Sequence, residues 1–285
     1  MLILENTYLF KYFFLGCIEG IIEFIPISST AHIILISKIF NIFLSQIKPS
    51  EIFIQIGPVV AVIFFFYKKI LYLILNIINK KIIEIKLICN IFISIISTLI
   101  ISFFFLKTFK LKFYKQNILI FSLIAGGFLI TYTEMNQNLF SKNDFYYNEI
   151  IYRNKLINYI TMINWKQSLL IGLFQFLSII PGISRSGISI IIGVVFGINK
   201  RESTEFSFLL LIPIIVSASC HEMYYITIND VNFFSIFLGF LGSFMFSLAT
   251  LSIIINFVSK YNYKIFAFYR IILGTIIIIK LIYSY

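Results

Sequence analysis

Two apolar runs that are each too short to cross a bilayer, and that each stop at a proline, constrain this chain more than any other feature. The first extends over about residues 8–24, breaks at P-I-S-S-T-A-H and resumes over 33–40. The second covers 167–180, breaks at P-G-I-S-R-S-G-I-S and resumes over 190–198. A helical crossing needs about 20 apolar residues, so neither arm spans comfortably. Short apolar pieces around a polar break predict re-entrant hairpins, which are tolerated at membrane depth only where the backbone is buried in protein or faces water. Aligned from Gly16 and Gly172, the two stretches share an order: glycine, a polar residue three positions on (Glu19, Gln175), an apolar run, proline, then hydroxyls. Interrupted hydrophobic segments at corresponding positions of two halves point to a duplicated chain with its site at the repeat interface.

The rest of the chain supports a membrane setting. Of 285 residues 60% are hydrophobic and 12% charged, and the mean hydropathy is +0.98, well outside the profile of a soluble domain. Further apolar segments lie at 52–67, 87–106, 118–132, 205–220, 233–258 and 265–283. The expected fold is therefore an all-α polytopic membrane protein with two re-entrant helical hairpins and about six full transmembrane helices. It forms a single membrane domain over 1–285, with a first repeat at about 1–133, a polar loop at about 134–165 and a second repeat at about 166–285. The net charge of +11 resides largely in lysines between apolar runs, where anionic headgroups attract them; it indicates membrane-lipid partners and no nucleic acid. Cys17, Cys89 and Cys220 show no metal-ligand spacing.

The polar residues of the breaks carry the chemistry. Glu19 and Glu23 are four apart on one helix face, each costing roughly 2.5–3.5 kcal/mol at the bilayer centre, and like charges at that spacing repel unless something positive relieves them. A divalent cation, Mg²⁺ or Ca²⁺, is the expected cofactor, with Glu19 and Glu23 as its ligands. Pro26 suits the first turn of a new helix, so Ser28, Ser29 and Thr30 should stand at a helix start, where backbone N–H groups and hydroxyls bind anions. His32 lies one turn beyond Ser29, and a hydroxyl near an imidazole is the pairing of nucleophilic catalysis. In the second break Arg185, among Ser184, Ser186 and Ser189, offers a planar fork matched to phosphate oxygens. Ser28, Ser184 and Ser186 read equally well as partners of the backbone, and Gln55 as a substrate contact or as helix packing.

These motifs resemble a known family. E-G-I-I-E-F-I-P-I-S-S-T-A-H, I-Q-I-G at 54–57, P-G-I-S-R-S-G-I-S at 181–189, E-F-S-F-L-L-L-I-P at 205–213 and Y-R-I-I-L-G at 269–274 are similar, nearly end to end, to undecaprenyl-pyrophosphate phosphatase of the bacitracin-resistance type. Ala31 stands where that family usually has Gly and Ser189 where it usually has Thr. The resemblance implies an interlocked inverted repeat and hydrolysis of a polyprenyl pyrophosphate lipid to the monophosphate, which recycles the carrier for peptidoglycan synthesis. It also implies a bacterial inner-membrane enzyme whose site opens to the periplasmic side, with a homodimer compatible. Carried over by motif, Glu19 and Glu23 are the acidic pair, Ser29 the nucleophile or the partner of an activated water, His32 the general acid/base and Arg185 the phosphate clamp. Ser28, Thr30, Gln55, Ser184 and Ser186 are the substrate-binding candidates. The rival from another class is a transporter or flippase of a polyprenyl phosphate, which needs anion binding but no nucleophile.

Overall fold

A computed structural model describes residues 2–40, 44–109, 116–136, 163–223, 233–258 and 260–283. The elements among them are helical, with no strand. Five helices are long and apolar enough to cross a membrane: α5 (Ile82–Phe109), α6 (Gln116–Met135), α9 (Lys200–Met223), α10 (Phe233–Val258) and α11 (Lys264–Tyr283). α3 (Leu44–Phe65) and α4 (Tyr67–Ile78) meet at a 67° bend, the geometry of a broken span or a re-entrant loop, and counted as one span they bring the number to six. Lys68 and Lys69 follow that bend directly, and Lys69 Nζ reaches Glu205 at 2.7 Å. Phenylalanines such as Phe103, Phe121 and Phe128 face outward, as expected where the solvent is hydrocarbon. The protein is a multi-pass membrane protein.

Both breaks fall where the prolines require them. α1 (Leu2–Ile22) starts earlier than the apolar pattern suggested and ends in turns before Pro26, and the 11-residue α2 (Ser29–Ile39) resumes beyond it. α7 (Trp165–Gln175) opens on a reciprocal capping box between Asn164 and Gln167, which satisfies two N–H groups of its first turn. It tightens into a 3₁₀ turn, Phe176–Ile179, before Pro181, and α8 (Arg185–Val195) follows. At 1.5 Å per residue, α2 and α8 are each about 16 Å long, roughly half the hydrocarbon core. The polar loop expected at 134–165 lies, over 137–162, outside the described residues; Glu134 itself still belongs to α6 and Trp165 opens α7.

The two halves exchange partners. α1 packs chiefly on α10, and α7, its counterpart, packs on α5, so each arm lies against a long helix of the opposite half. The glycines that head the aligned stretches explain the closeness: a Cβ on Gly16 would overlap the Gly239 carbonyl oxygen, and one on Gly172 would overlap Ser97 Oγ and the Ser94 carbonyl. Small residues allow the backbone approach on which helix association in lipid depends. α3 meets α9 and α6 meets α11, so counterpart helices pair across the centre. With the bent α3/α4 pair counted as one crossing, each half has three, and an odd number per half is what an inverted repeat requires.

Below the breaks, Phe24 packs edge-on against Phe208 of α9 with ring centroids 5.0 Å apart, in a core completed by Val59, Val62, Ile190 and Leu251. At the far ends of α6, α9 and α11 a polar knot closes the bundle. Lys200 Nζ donates to Glu134 Oε2 at 2.8 Å and to Asn262 Oδ1 at 2.9 Å, the Tyr263 N–H donates to Glu134 Oε1, and the Tyr263 hydroxyl pairs with Thr204. Burial pushes the Tyr263 phenol above the ordinary tyrosine range.

Candidate active site

Glu23 is the last carboxylate before the chain turns at Pro26, and the second half of the site converges on it. Glu19 on α1 is fully buried, and Glu23, in the turn just past the end of α1, is 7% exposed. Ser28 caps α2 with φ 76°, an uncommon conformation for a non-glycine residue and one found where local strain serves a site. The turn brings Ser29 back toward α1, and its Oγ donates to Glu23 Oε2 at 2.5 Å. From the other half, Ser186 Oγ donates to the Glu23 carbonyl at 3.0 Å, and Arg185 Nη1 lies 3.8 Å from Glu23 Oε1. Ser184 caps α8, accepting from the Gly187 N–H at 3.1 Å and pairing with Ser186 at 3.1 Å. The two helix starts, α2 and α8, thus meet around one carboxylate.

Arg185 Nη1 and Glu23 Oε1 are both buried, and neither has a hydrogen-bond partner among the described residues. A separation of 3.8 Å is too long for a hydrogen bond, and native proteins rarely leave such groups unsatisfied without a functional reason. An anion that accepts from the guanidinium, with a cation or proton on the carboxylate, would satisfy both.

The Ser29 hydroxyl, expected next to the imidazole, faces Glu23, because the turn at Ser28 points it across the break and not along α2. His32 is held elsewhere. Its Nδ1 lies 2.7 Å from the Ser28 carbonyl oxygen and its Nε2 lies 2.7 Å from the hydroxyl of Tyr269 on α11, with the two rings stacked at 5.6 Å. The next residue, Arg270, is 2% exposed and donates to four carbonyls: Pro26 in the first break, Gly182 in the second, and Leu123 and Ser122 on α6. The Ser122 hydroxyl in turn donates to the Pro181 carbonyl. A helix of each half therefore ties down the break of the other. Tyr269 and Arg270 received no role in the sequence reading, although an arginine in the middle of an apolar span is itself a signal of function.

Among the described residues no group of three or more His, Cys, Asp or Glu could hold a metal ion. The acidic pair still suits a Mg²⁺ ion that takes one or two carboxylates and completes its shell with water and substrate phosphate; the unsatisfied Glu23 Oε1 is the atom such an ion would use. Thr30 stands half-buried in the first turn of α2. Gln55 is half-buried on α3, next to Ile54, which packs on Leu15 and Ile33. Of the substrate-binding candidates, Ser28, Ser184 and Ser186 all hold backbone here.

Comparisons with known proteins bear on the family. The family model described as bacitracin resistance protein BacA matches residues 12–276. The chain is 34% identical over 278 residues to undecaprenyl-diphosphatase of Bordetella avium, covering 96% of this chain and 97% of that protein. It is 35% identical over 276 residues to undecaprenyl-diphosphatase 2 of Shewanella oneidensis, covering 96% and 98%. Undecaprenyl-diphosphatase of Nitrosospira multiformis is 32% identical over 275 residues, covering 95% and 94%. The match takes in both breaks, α9 and the Tyr269–Arg270 turn of α11, and on that extent and identity the chain belongs to the bacitracin resistance protein BacA family.

Proposed function

We propose that this protein is a membrane phosphatase that hydrolyses undecaprenyl pyrophosphate to undecaprenyl phosphate and inorganic phosphate. It would thereby recycle the lipid carrier for peptidoglycan synthesis and confer bacitracin resistance. The relatives' printed activity supports the substrate. The observation that carries the chemistry is the buried, unsatisfied pair Arg185 Nη1 and Glu23 Oε1, 3.8 Å apart beside the Ser29 hydroxyl. Its site would open to the periplasmic side of the bacterial inner membrane, a reading supported by the family resemblance alone.

Ser29 Oγ attacks the terminal phosphorus, and its proton passes to Glu23 Oε2, on which it already rests at 2.5 Å. Arg185 holds the phosphoryl oxygens and neutralises charge as the anhydride bond breaks, the main task in phosphoryl transfer. The N-termini of α2 and α8 add their partial positive charge. Glu19 and Glu23 would hold a divalent cation, Mg²⁺ or Ca²⁺, which when bound supplies charge neutralisation at the pyrophosphate. His32 is the remaining acid/base group.

The test is a double-mutant cycle on phosphate release from undecaprenyl pyrophosphate by purified protein. Ser29→Ala and Glu23→Gln should each cost on the order of 10²–10⁴ in kcat. The double variant should be little worse than the poorer single one, because members of one catalytic unit are non-additive. Losses that multiply would separate Ser29 from Glu23 and leave Ser29 as a phosphate-binding hydroxyl with water as the nucleophile.

A further inference from the structure

We infer that Tyr269 is the proton relay through which His32 reaches the reaction. The inference rests on the phosphatase reading above and follows from the bookkeeping of two ring nitrogens. A carbonyl oxygen only accepts, so the 2.7 Å contact of His32 Nδ1 with the Ser28 carbonyl requires a proton on Nδ1. In the neutral ring Nε2 is then the acceptor, and the Tyr269 hydroxyl, 2.7 Å away, donates to it. Both nitrogens are committed. The Ser29 hydroxyl, the other candidate partner, donates to Glu23. The imidazole is 7% exposed, whereas Tyr269 is 42% exposed, so the phenol is the member of the pair that meets the surroundings. The stacking of the two rings at 5.6 Å and 11° fixes their relative orientation, and the anchorage of Arg270 on four carbonyls fixes the helix turn that carries Tyr269.

The relay serves the second half of the reaction. Water attacks the phosphorus carried on Ser29 Oγ, and one of its protons passes to the Tyr269 oxygen as the phenol proton passes to His32 Nε2. The bond between phosphorus and Ser29 Oγ breaks, and that oxygen recovers the proton held by Glu23. Inorganic phosphate departs, and the imidazolium returns its proton to solvent along the same path in reverse. No other co-reactant is needed.

The chain has two histidines, so the full-length protein with His221→Asn, labelled with ¹⁵N-histidine, reports His32 alone. At neutral pH the expected spectrum shows Nδ1 protonated and Nε2 unprotonated but hydrogen-bonded, and Tyr269→Phe, which keeps the ring, moves the Nε2 signal to that of an unbonded nitrogen. In turnover, Tyr269→Phe lowers kcat with KM little changed, by a loss at the lower end of the 10²–10⁴ range for an acid/base partner. In a His32→Gln background it costs nothing further. An Nε2 signal unmoved by Tyr269→Phe overturns the inference, as does an equal loss from Tyr269→Phe in both backgrounds. Failure of the protein with all site residues intact to release phosphate overturns the phosphatase reading instead, so the two failures are distinct.

Discussion

Replacing Arg270 tests whether one side chain holds both breaks in place. Its guanidinium satisfies four carbonyl oxygens, those of Pro26, Gly182, Leu123 and Ser122, at 3.1, 2.8, 3.2 and 3.1 Å. Leaving a buried acceptor without a partner costs about 1–3 kcal/mol. Lysine has three donors on a single nitrogen and so abandons at least one carbonyl, which predicts a loss of about 1–3 kcal/mol for Arg270→Lys. Methionine abandons all four, for a loss of about 4–12 kcal/mol, comparable to the whole stability of a typical protein at about 5–15 kcal/mol. Thermal unfolding of the purified protein in detergent should therefore show Arg270→Lys melting several degrees lower and Arg270→Met failing to yield a folded species. Activity in Arg270→Lys should fall more than stability, because Pro26 and Gly182 frame the starts of α2 and α8. A Met variant with unchanged melting would refute the reasoning, since it would mean the four carbonyls find other partners at no cost.

The remaining predictions concern the site and the seams. Arg185→Lys should lose most phosphatase activity while the protein still folds, because lysine keeps the charge but not the bidentate fork; turnover near that of the unsubstituted protein would remove Arg185 as the phosphate clamp. Excess chelator should abolish phosphate release and added Mg²⁺ or Ca²⁺ should restore it; full activity in chelator would leave Glu19 and Glu23 as proton handlers. Gly16→Ala should lower the melting temperature, since its Cβ would overlap the Gly239 carbonyl and overpacking typically costs about 1–3 kcal/mol; an unchanged melt would mean α1 can move off α10 freely.

The groups that announced themselves in the sequence were those that are expensive in hydrocarbon. Glu19, Glu23, Arg185 and His32 stand out from apolar surroundings by type alone, and the structure brings Glu23, Ser29 and Arg185 to one point. Pairing was harder to read than membership. Helical spacing sets Ser29 and His32 one turn apart, but the positive φ of Ser28 turns the hydroxyl across the break to Glu23, and the imidazole finds Tyr269, 237 positions further along the chain. No local pattern encodes a contact at that range. Arg270 stands out by type in the same way, but its partners were not legible: they are backbone carbonyls, which every residue carries, so no complementary side chain marks them. Gly126 on α6 makes room for the guanidinium, since a Cβ there would overlap Arg270 Nη2.

The exchange of partners between halves has a consequence for the chemistry. Ser29 and Glu23 come from the first half, Arg185 and Tyr269 from the second, and the ties that fix each break come from α6 and α11 of opposite halves. Neither half alone contains both a nucleophile and a phosphate clamp. An arginine held 3.8 Å from a carboxylate oxygen that has no hydrogen-bond partner among the described residues is poorly compensated in an apolar interior unless the surrounding packing imposes it, and here the packing is imposed from both sides at once. The interlocking is thus what allows two breaks in the membrane-embedded backbone to remain open to a phosphate: each break's unsatisfied groups are few because the other half has satisfied the rest.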